Sequence, residues 1–325
     1  MDSNELLEPF VRMLADIAPP SAVRAVEQGA SAAAMWDQFH DSGFADALVD
    51  EAAGGAGLSF ADVGALVSAM GAAALPLPAA ETMVARALLA RAGIDAPRGP
   101  IAFATAAAPV QTVPCGLVAD HVLVDTGEYL ALAGAGDLSP QPTGVEASLA
   151  ARVTVPQVVD GPRLARPEGG LRAIAAVLRA ALISGAAERV LDMATAHANE
   201  RVQFGKPIGR QQALQQSLAV MAEDMVAVRI AAQLGAASGF PPSVLAAATA
   251  KATASAAAPR IAATAHAVFG AIGISAEHDL QLFTRRLHEW RLADGSESYW
   301  QRELGAARMA SAAGTVDWAR EALFA

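Results

Sequence analysis

Residues 200–215 read ERVQFGKPIGRQQALQ, between two stretches that favour helix. A turn between helices needs only residues such as Gly205 and Pro207, because glycine allows a positive φ and proline ends a helix. The arginine, the phenylalanine and the paired glutamines exceed that need. A guanidinium binds phosphate, an amide bonds to a heterocycle edge, and an aromatic ring stacks. The loop predicts either a site for a nucleotide-containing ligand or an ordinary surface loop with a packed phenylalanine.

Helical patterns flank this loop on both sides. Upstream, apolar residues from Ile174 onward indicate a helix to about residue 199. Downstream, apolar residues recur at alternating steps of four and three, at Leu214, Leu218, Met221, Met225 and Val228. That spacing is typical of the seam of a helix bundle. We expect a third helix capped by Ser243 and a fourth that follows from Glu277.

The chain divides into three zones of different texture. Residues 1–97 predict an N-terminal helical domain, in which Ser59 or Asp62 opens one helix. Residues 98–167 hold short apolar runs separated by turn residues and predict a small β domain. Residues 168–325 predict the C-terminal helical bundle. The predicted fold is therefore mostly α with a central β domain.

Composition excludes several classes of function. The 325 residues are 54 % hydrophobic and carry a net charge of −10, without a basic block, so we expect no nucleic-acid binding. The uncharged run 99–119 is interrupted by prolines and predicts buried strands rather than a membrane span. Cys115 is the single cysteine, and the start resembles no secretory signal, so a cytoplasmic protein is expected. The scattered histidines show no spacing for a metal site.

The order of residues in the loop resembles the R-x-Q-F-G-x-P-I…Q pattern of the acyl-CoA dehydrogenase family. Residues 270–290, GAIGISAEHDLQLFTRRLHEW, are similar to a later family segment, a glycine-rich turn followed by a helix with paired arginines. The resemblance implies that family's fold, with an N-terminal helical domain, a small β domain and a four-helix bundle. It also implies FAD as cofactor, α,β-desaturation of an acyl-CoA thioester, and a separate electron-transfer acceptor.

The resemblance also assigns roles to individual residues. It implies that Arg201, Gln203, Phe204 and Gln212 contact an FAD held mainly by a neighbouring subunit. It further implies that the glycine-rich turn, at Gly270 and Gly273, lets the backbone approach the same cofactor. No residue is assigned to a metal.

The catalytic base is harder to assign. Many family members place a glutamate before a glycine in the loop after the paired-arginine helix, and the matching residue here is Asp294. A carboxylate needs a raised pKa to act as a base, which burial supplies. Asp294 is one methylene shorter, and it could equally form a simple Asp–Gly turn. Glu297 is the second candidate, while the position on the first bundle helix that serves other members is Ala175.

Other departures favour a subunit that works with a partner. Residues 98–167 lack the family's flavin-contacting Gly-Ser-Asp segment and the tryptophan that follows it, and the glutamine expected before the glycine-rich turn is Ala267. The chain thus resembles the shorter subunit of bacterial heteromeric, steroid-type acyl-CoA dehydrogenases, paired with a longer subunit and taking a bulky substrate. Two alternatives stay open: a non-catalytic structural or regulatory paralogue, and a self-sufficient homo-oligomer that uses Asp294.

Overall fold

The N-terminal part of the computed structural model, which describes residues 3–106 and 108–323, is helical. The helix predicted to open at Ser59 or Asp62 begins after Ser59 as the cap residue. The two residues form a capping box, in which Ser59 Oγ accepts from the backbone N–H of Asp62 and the Asp62 side chain accepts from the backbone N–H of Ser59. Apolar faces of these helices meet in one core around Phe10, Phe39 and Val63. The helices are α1 (Ser3–Ile17), α2 (Pro20–Glu27), α3 (Ala33–Asp41), α4 (Phe60–Ala72) and α5 (Ala79–Arg91).

The central part forms two small sheets. The strands are β1 (Ile101–Ala104), β2 (Val110–Val113), β3 (His121–Asp125), β4 (Tyr129–Gly134), β5 (Gln141–Pro142), β6 (Ala151–Thr154) and β7 (Arg163–Ala165). One sheet has the order β1-β3-β4-β7, with β1 and β3 parallel, and the other is an antiparallel β2-β6-β5 sheet.

Alternation along the strands explains how the sheets pack. In β1, Phe103 joins the core of the helical domains, while Ala102 and Ala104 face a second core between the sheets. In β3, Leu123 likewise packs into the core of the helical domains, and Val122 packs into the core between the sheets. Because successive side chains point to opposite faces, a wholly apolar strand can fill both cores.

The C-terminal part is the predicted bundle. Its helices are α6 (Gly170–Glu200), α7 (Gln212–Ala237), α8 (Val244–Phe269), α9 (Leu280–Leu292), α10 (Glu297–Ala310) and α11 (Thr315–Leu323). Met221, Met225 and Val228 of the predicted seam are buried. Ser243 takes the cap position of α8, but its hydroxyl makes no capping bond there, which corrects that expectation.

Helices α4 and α6 touch almost backbone to backbone. A Cβ atom on Gly185 would lie 1.7 Å from the carbonyl oxygen of Ser68, and one on Gly71 would lie 2.1 Å from that of Leu182. Only glycine fits such a crossing. This contact joins the N-terminal helices to the bundle.

Two stretches, residues 170–200 and 244–274, are long and apolar enough to cross a membrane by composition. In the first, 94 % of the apolar window is buried inside the molecule. A central bundle helix of a globular protein has the same character, so the finding is weak evidence for a membrane span.

Candidate functional site: the 201–212 loop and the buried carboxylates

The loop between α6 and α7 is a short hairpin. Strand β8 (Val202–Gln203) pairs with β9 (Lys206–Pro207), and the two residues between them, Phe204 and Gly205, have φ angles of +51° and +75°. Positive φ at both turn positions is typical of the tightest hairpins, but phenylalanine rarely adopts it. The turn presents the Phe204 ring, whose residue is 93 % exposed. Residual strain and exposure at one aromatic residue indicate a role outside this chain's own core.

Several predicted site residues line one open groove of about 470 Å³. Arg201 and Gln203 lie on one side of it and Gly270 on the other. Gly270 has a φ of +62° with no atom near its missing Cβ, so its backbone is open to a ligand. Gln211, rather than the predicted Gln212, lines the groove.

Gly273 has a packing role in the same turn. It is buried, and a Cβ there would lie 2.8 Å from the Cβ of Phe269. It therefore lets the turn pack on α8 instead of lining the groove.

Sequence reasoning missed the aromatic wall of this groove. The His197 ring stacks on Phe269 at 4.4 Å between centroids, and His278 lies 4.8 Å beyond on the same phenylalanine. Burial, followed by the nearby His278 and Arg201, lowers the pKa of His197. A neutral imidazole is thus favoured there. The signal was available, since His197 precedes Arg201 by one helical turn.

The chemistry of this groove suits a nucleotide-containing cofactor such as FAD. Arg201 can bind phosphate, and Gln203 and Gln211 can bond to ring edges. Phe204 does not line the groove, but it lies in the adjoining hairpin turn and offers an exposed stacking face. The residues present therefore fit part of such a ligand. Among the residues that line the groove, His197 alone has a side chain that could abstract a proton from a substrate at neutral pH.

Asp294, the predicted base, lies in the turn between α9 and α10. Its side chain is 3 % exposed and both oxygens are engaged: Thr105 Oγ1 donates to Oδ1 at 2.8 Å, and Arg179 Nε donates to Oδ2 at 2.9 Å. Arg179 also forms an ion pair with Glu81 of α5. An arginine and a hydroxyl thus occupy both oxygens of Asp294, so the carboxylate must break one of these contacts before it can accept a proton from a substrate.

Glu297, the second candidate, is held in the same manner. Its carboxylate accepts two hydrogen bonds from Arg291, one from Nε at 3.0 Å and one from Nη2. This hydrogen bonding lowers the pKa of Glu297. Neither carboxylate is therefore free to act as a base without breaking an ion pair.

The space beside this cluster is small and lined by charge. Glu81, Arg179, Arg286 and Glu289 line a cavity of about 30 Å³, which holds about one water molecule. Cys115 also lines it, and burial raises the pKa of its thiol to about 12, which leaves it unreactive. An acyl chain does not fit in this volume.

Comparison with known proteins is consistent with these features. The model of the acyl-CoA dehydrogenase N-terminal domain matches residues 2–99, and that of the C-terminal domain matches residues 173–310. The chain is 31 % identical over 296 residues to acyl-CoA dehydrogenase IpdE2 of Mycolicibacterium smegmatis, covering 88 % of this chain and 93 % of that protein.

Solved structures share the fold. The ChsE4–ChsE5 complex from Mycobacterium tuberculosis has a TM-score of 0.79 at 21 % identity, covering 96 % of this chain and 99 % of that one. The Tcur3481–Tcur3483 steroid ACAD has a TM-score of 0.77 at 22 % identity, with 95 % and 99 % covered. Both the predicted fold class and the predicted family are confirmed. From its two matched domains and its curated relative, the chain belongs to the acyl-CoA dehydrogenase family.

Proposed function

We propose that the chain is the accessory subunit of a heteromeric, FAD-dependent acyl-CoA dehydrogenase. In this proposal its 201–212 loop completes a flavin site held mainly by a longer partner subunit, and that partner supplies the catalytic base. The observation that carries the proposal is the Phe204 hairpin beside an open groove, together with a predicted base that is locked in ion pairs.

Exposure around the groove supports a partner chain. Besides Phe204, the apolar residue Val202 is exposed in the 201–212 loop, and Ile272 and Ile274 are exposed in the glycine-rich turn. Exposed apolar residues clustered beside a groove mark interaction sites. A partner that covers them would also enclose a ligand between the chains, and the similar ChsE4–ChsE5 structure is itself a complex of two named chains.

The reaction proposed is α,β-desaturation of a CoA thioester. Bound flavin would supply the hydride acceptor, and this chain's Arg201 and Gln203 would hold and orient it through phosphate and amide contacts. The reduced complex would pass its electrons to a separate acceptor. The steroid ACAD among the structural neighbours supports a bulky acyl substrate of steroid type.

A visible absorption spectrum tests the shared site. The chain is purified alone and again after co-expression with a longer acyl-CoA dehydrogenase subunit from the same organism. We expect a colourless lone chain and a yellow complex. A lone chain with near-stoichiometric flavin would instead support the homo-oligomer that uses Asp294.

The loop is tested by Arg201→Ala in the complex, with Arg210→Ala as the matched control. Arg210 is exposed in the same connection but does not line the groove. Loss of flavin from the first variant only, with the complex intact, is the expected result. Equal flavin in both variants would favour the non-catalytic paralogue, in which the loop serves assembly alone.

A further inference from the structure

His197 and Arg201 lie one helical turn apart at the end of α6, and both line the open groove. A spacing of four residues places two side chains on the same face of a helix. The His197 ring is held in place by Phe269, on which it stacks with an interplanar angle of 25°. Within the described part of the chain, no group is hydrogen-bonded to its ring nitrogens, which leaves them available to a ligand in the groove.

The second histidine against Phe269 differs in this respect. Nδ1 of His278 accepts the backbone N–H of Leu280 at 3.1 Å, which favours a neutral ring with its proton on Nε2. Protonation of His278 at Nδ1 would break this bond, and His278 does not line the groove. In this pair, His197 is therefore the histidine that can gain a proton next to a ligand.

The charge of the groove does not yet match that of a flavin dinucleotide. The diphosphate of FAD carries two negative charges, whereas Arg201 is the one permanently charged residue among those that line the groove. The last carbonyl groups of α6 add a partial negative charge, which opposes an anion and favours a cation. His197 is the other lining residue that can become positive.

The surroundings of His197 keep its ring neutral. Burial lowers the pKa of His197, and His278 and Arg201 add to this effect, while Glu200 opposes it. The groove residues contributed by α7 and α8 are uncharged. An anion placed beside the ring reverses this balance, because an opposite charge within about 4–6 Å favours the protonated form of an imidazole.

We propose that His197 and Arg201 together bind the diphosphate of the flavin dinucleotide, and that His197 takes up a proton from solvent when the diphosphate binds. The imidazolium and the guanidinium then balance the two phosphate charges, and the proton returns to solvent when the cofactor leaves. This inference rests on the proposed flavin site and adds to it a second cationic contact.

The direction of the pH effect follows from linkage. A proton and an anion that favour each other's binding do so reciprocally. FAD should therefore bind more weakly as the pH rises through the range in which the imidazole of the bound form loses its proton. Where one whole proton is taken up, Kd should rise about tenfold per pH unit.

Calorimetric titration of the flavin-free complex with FAD measures this proton directly. Titrations in HEPES and in Tris, which differ in ionisation enthalpy, give the number of protons taken up, and a series from pH 6 to pH 9 gives the profile of Kd. We expect the parent complex to take up more protons than His197→Gln and to show the steeper profile. His288→Gln, at an exposed histidine outside the groove, is the matched control and should behave as the parent. Equal proton uptake in the parent and in His197→Gln would overturn the inference.

His197→Phe guards against a folding defect, because it keeps an aromatic ring against Phe269 and removes the titratable nitrogens. It should match His197→Gln in proton uptake. If Arg201→Ala weakens FAD binding while both His197 variants keep the proton uptake of the parent, this inference fails and the proposed flavin site stands. If the parent complex binds no FAD, both fail.

Titration with CoA separates the cofactor from the substrate, since CoA also contains a diphosphate. We expect the proton uptake that depends on His197 to appear with FAD and not with CoA. The opposite result, an uptake with CoA alone, would overturn the assignment of these two residues to the flavin.

Discussion

At the scale of single residues, Arg179 determines the character of the buried cluster. It lies between Glu81 and Asp294, and all three side chains are almost fully buried. The ion pairs raise the pKa of Arg179 despite its burial. Asp294 is thereby a counter-ion, although the sequence pattern predicted it as the catalytic base.

Arg179→Met should be among the most destabilising substitutions. It leaves two buried carboxylates without their cation, and breaking a buried ion pair costs about 3–5 kcal/mol. Denaturant unfolding measures the loss, with Arg320→Met as a control at an exposed pair worth about 0–1 kcal/mol. Adding Glu81→Gln and Asp294→Asn to Arg179→Met should recover part of the stability. A loss below 1 kcal/mol for Arg179→Met alone would contradict the buried pairing.

Asp294→Asn tests whether this chain supplies a base. In the assembled complex we expect kcat to stay within about twofold, because the partner provides the base in our proposal. A general base contributes about 10²- to 10⁴-fold, so a fall of that size would assign the role to Asp294. Flavin content and circular dichroism of the same preparation separate lost chemistry from lost folding.

Phe204 shows how a residue can matter without contributing to the core. Its ring is almost entirely in solvent, so Phe204→Ala should change the free energy of unfolding of the lone chain by less than about 0.5 kcal/mol. The complex with the partner should nevertheless lose flavin. Phe103→Ala is the contrasting control, because Phe103 is buried and its loss costs about 3–5 kcal/mol. Unchanged flavin content after Phe204→Ala would argue against the loop as a cofactor contact.

At the scale of elements, small residues set the distance between helices. Alanine is the commonest residue in α6 and α8. Gly71 of α4 and Gly185 of α6 allow those two helices to approach each other closely. Periodicity predicted these helices correctly. It gave no indication of which helix each glycine would meet, because that depends on packing angles rather than on local pattern.

Gly185→Ala should destabilise the chain by several kcal/mol, since the added methyl group would overlap the Ser68 carbonyl oxygen. Gly305→Ala is the matched control. Gly305 lies in α10 with no atom within 4 Å of the added Cβ, so alanine should stabilise by about 0.5–1 kcal/mol there. Thermal unfolding of both variants compares them directly, and a neutral Gly185→Ala would show that α4 can move away.

At the scale of the whole molecule, buried ion pairs connect the N-terminal helices to the C-terminal bundle. Glu81–Arg179 joins α5 to α6, and Glu27 of α2 pairs with Arg285 and Arg286 of α9. These contacts occupy the space between domains and leave a cavity of about one water molecule. The open groove at the 201–212 loop lies elsewhere, at the end of the bundle.

Thermal unfolding with added FAD tests whether the groove at the end of the bundle needs a partner chain to bind the cofactor. A ligand that binds only the folded state stabilises that state, so the Tm of the complex should rise with FAD concentration. At an FAD concentration of 100 times Kd, the free energy of unfolding should rise by about 2.7 kcal/mol. The lone chain should show no shift. A rise in the Tm of the lone chain would mean that the site is complete without a partner.

The sequence by itself determined the helix, β, helix order, the family and the loop that carries Arg201 and Gln203, because these depend on local periodicity and on residue order. Tertiary structure decided the rest. It placed Arg179 against Asp294, which lie 115 positions apart, and it placed the carbonyl groups of Arg291 and Gly295 against Lys251 of α8. Both outcomes depend on desolvation and on long-range contacts, which no local pattern in the sequence specifies.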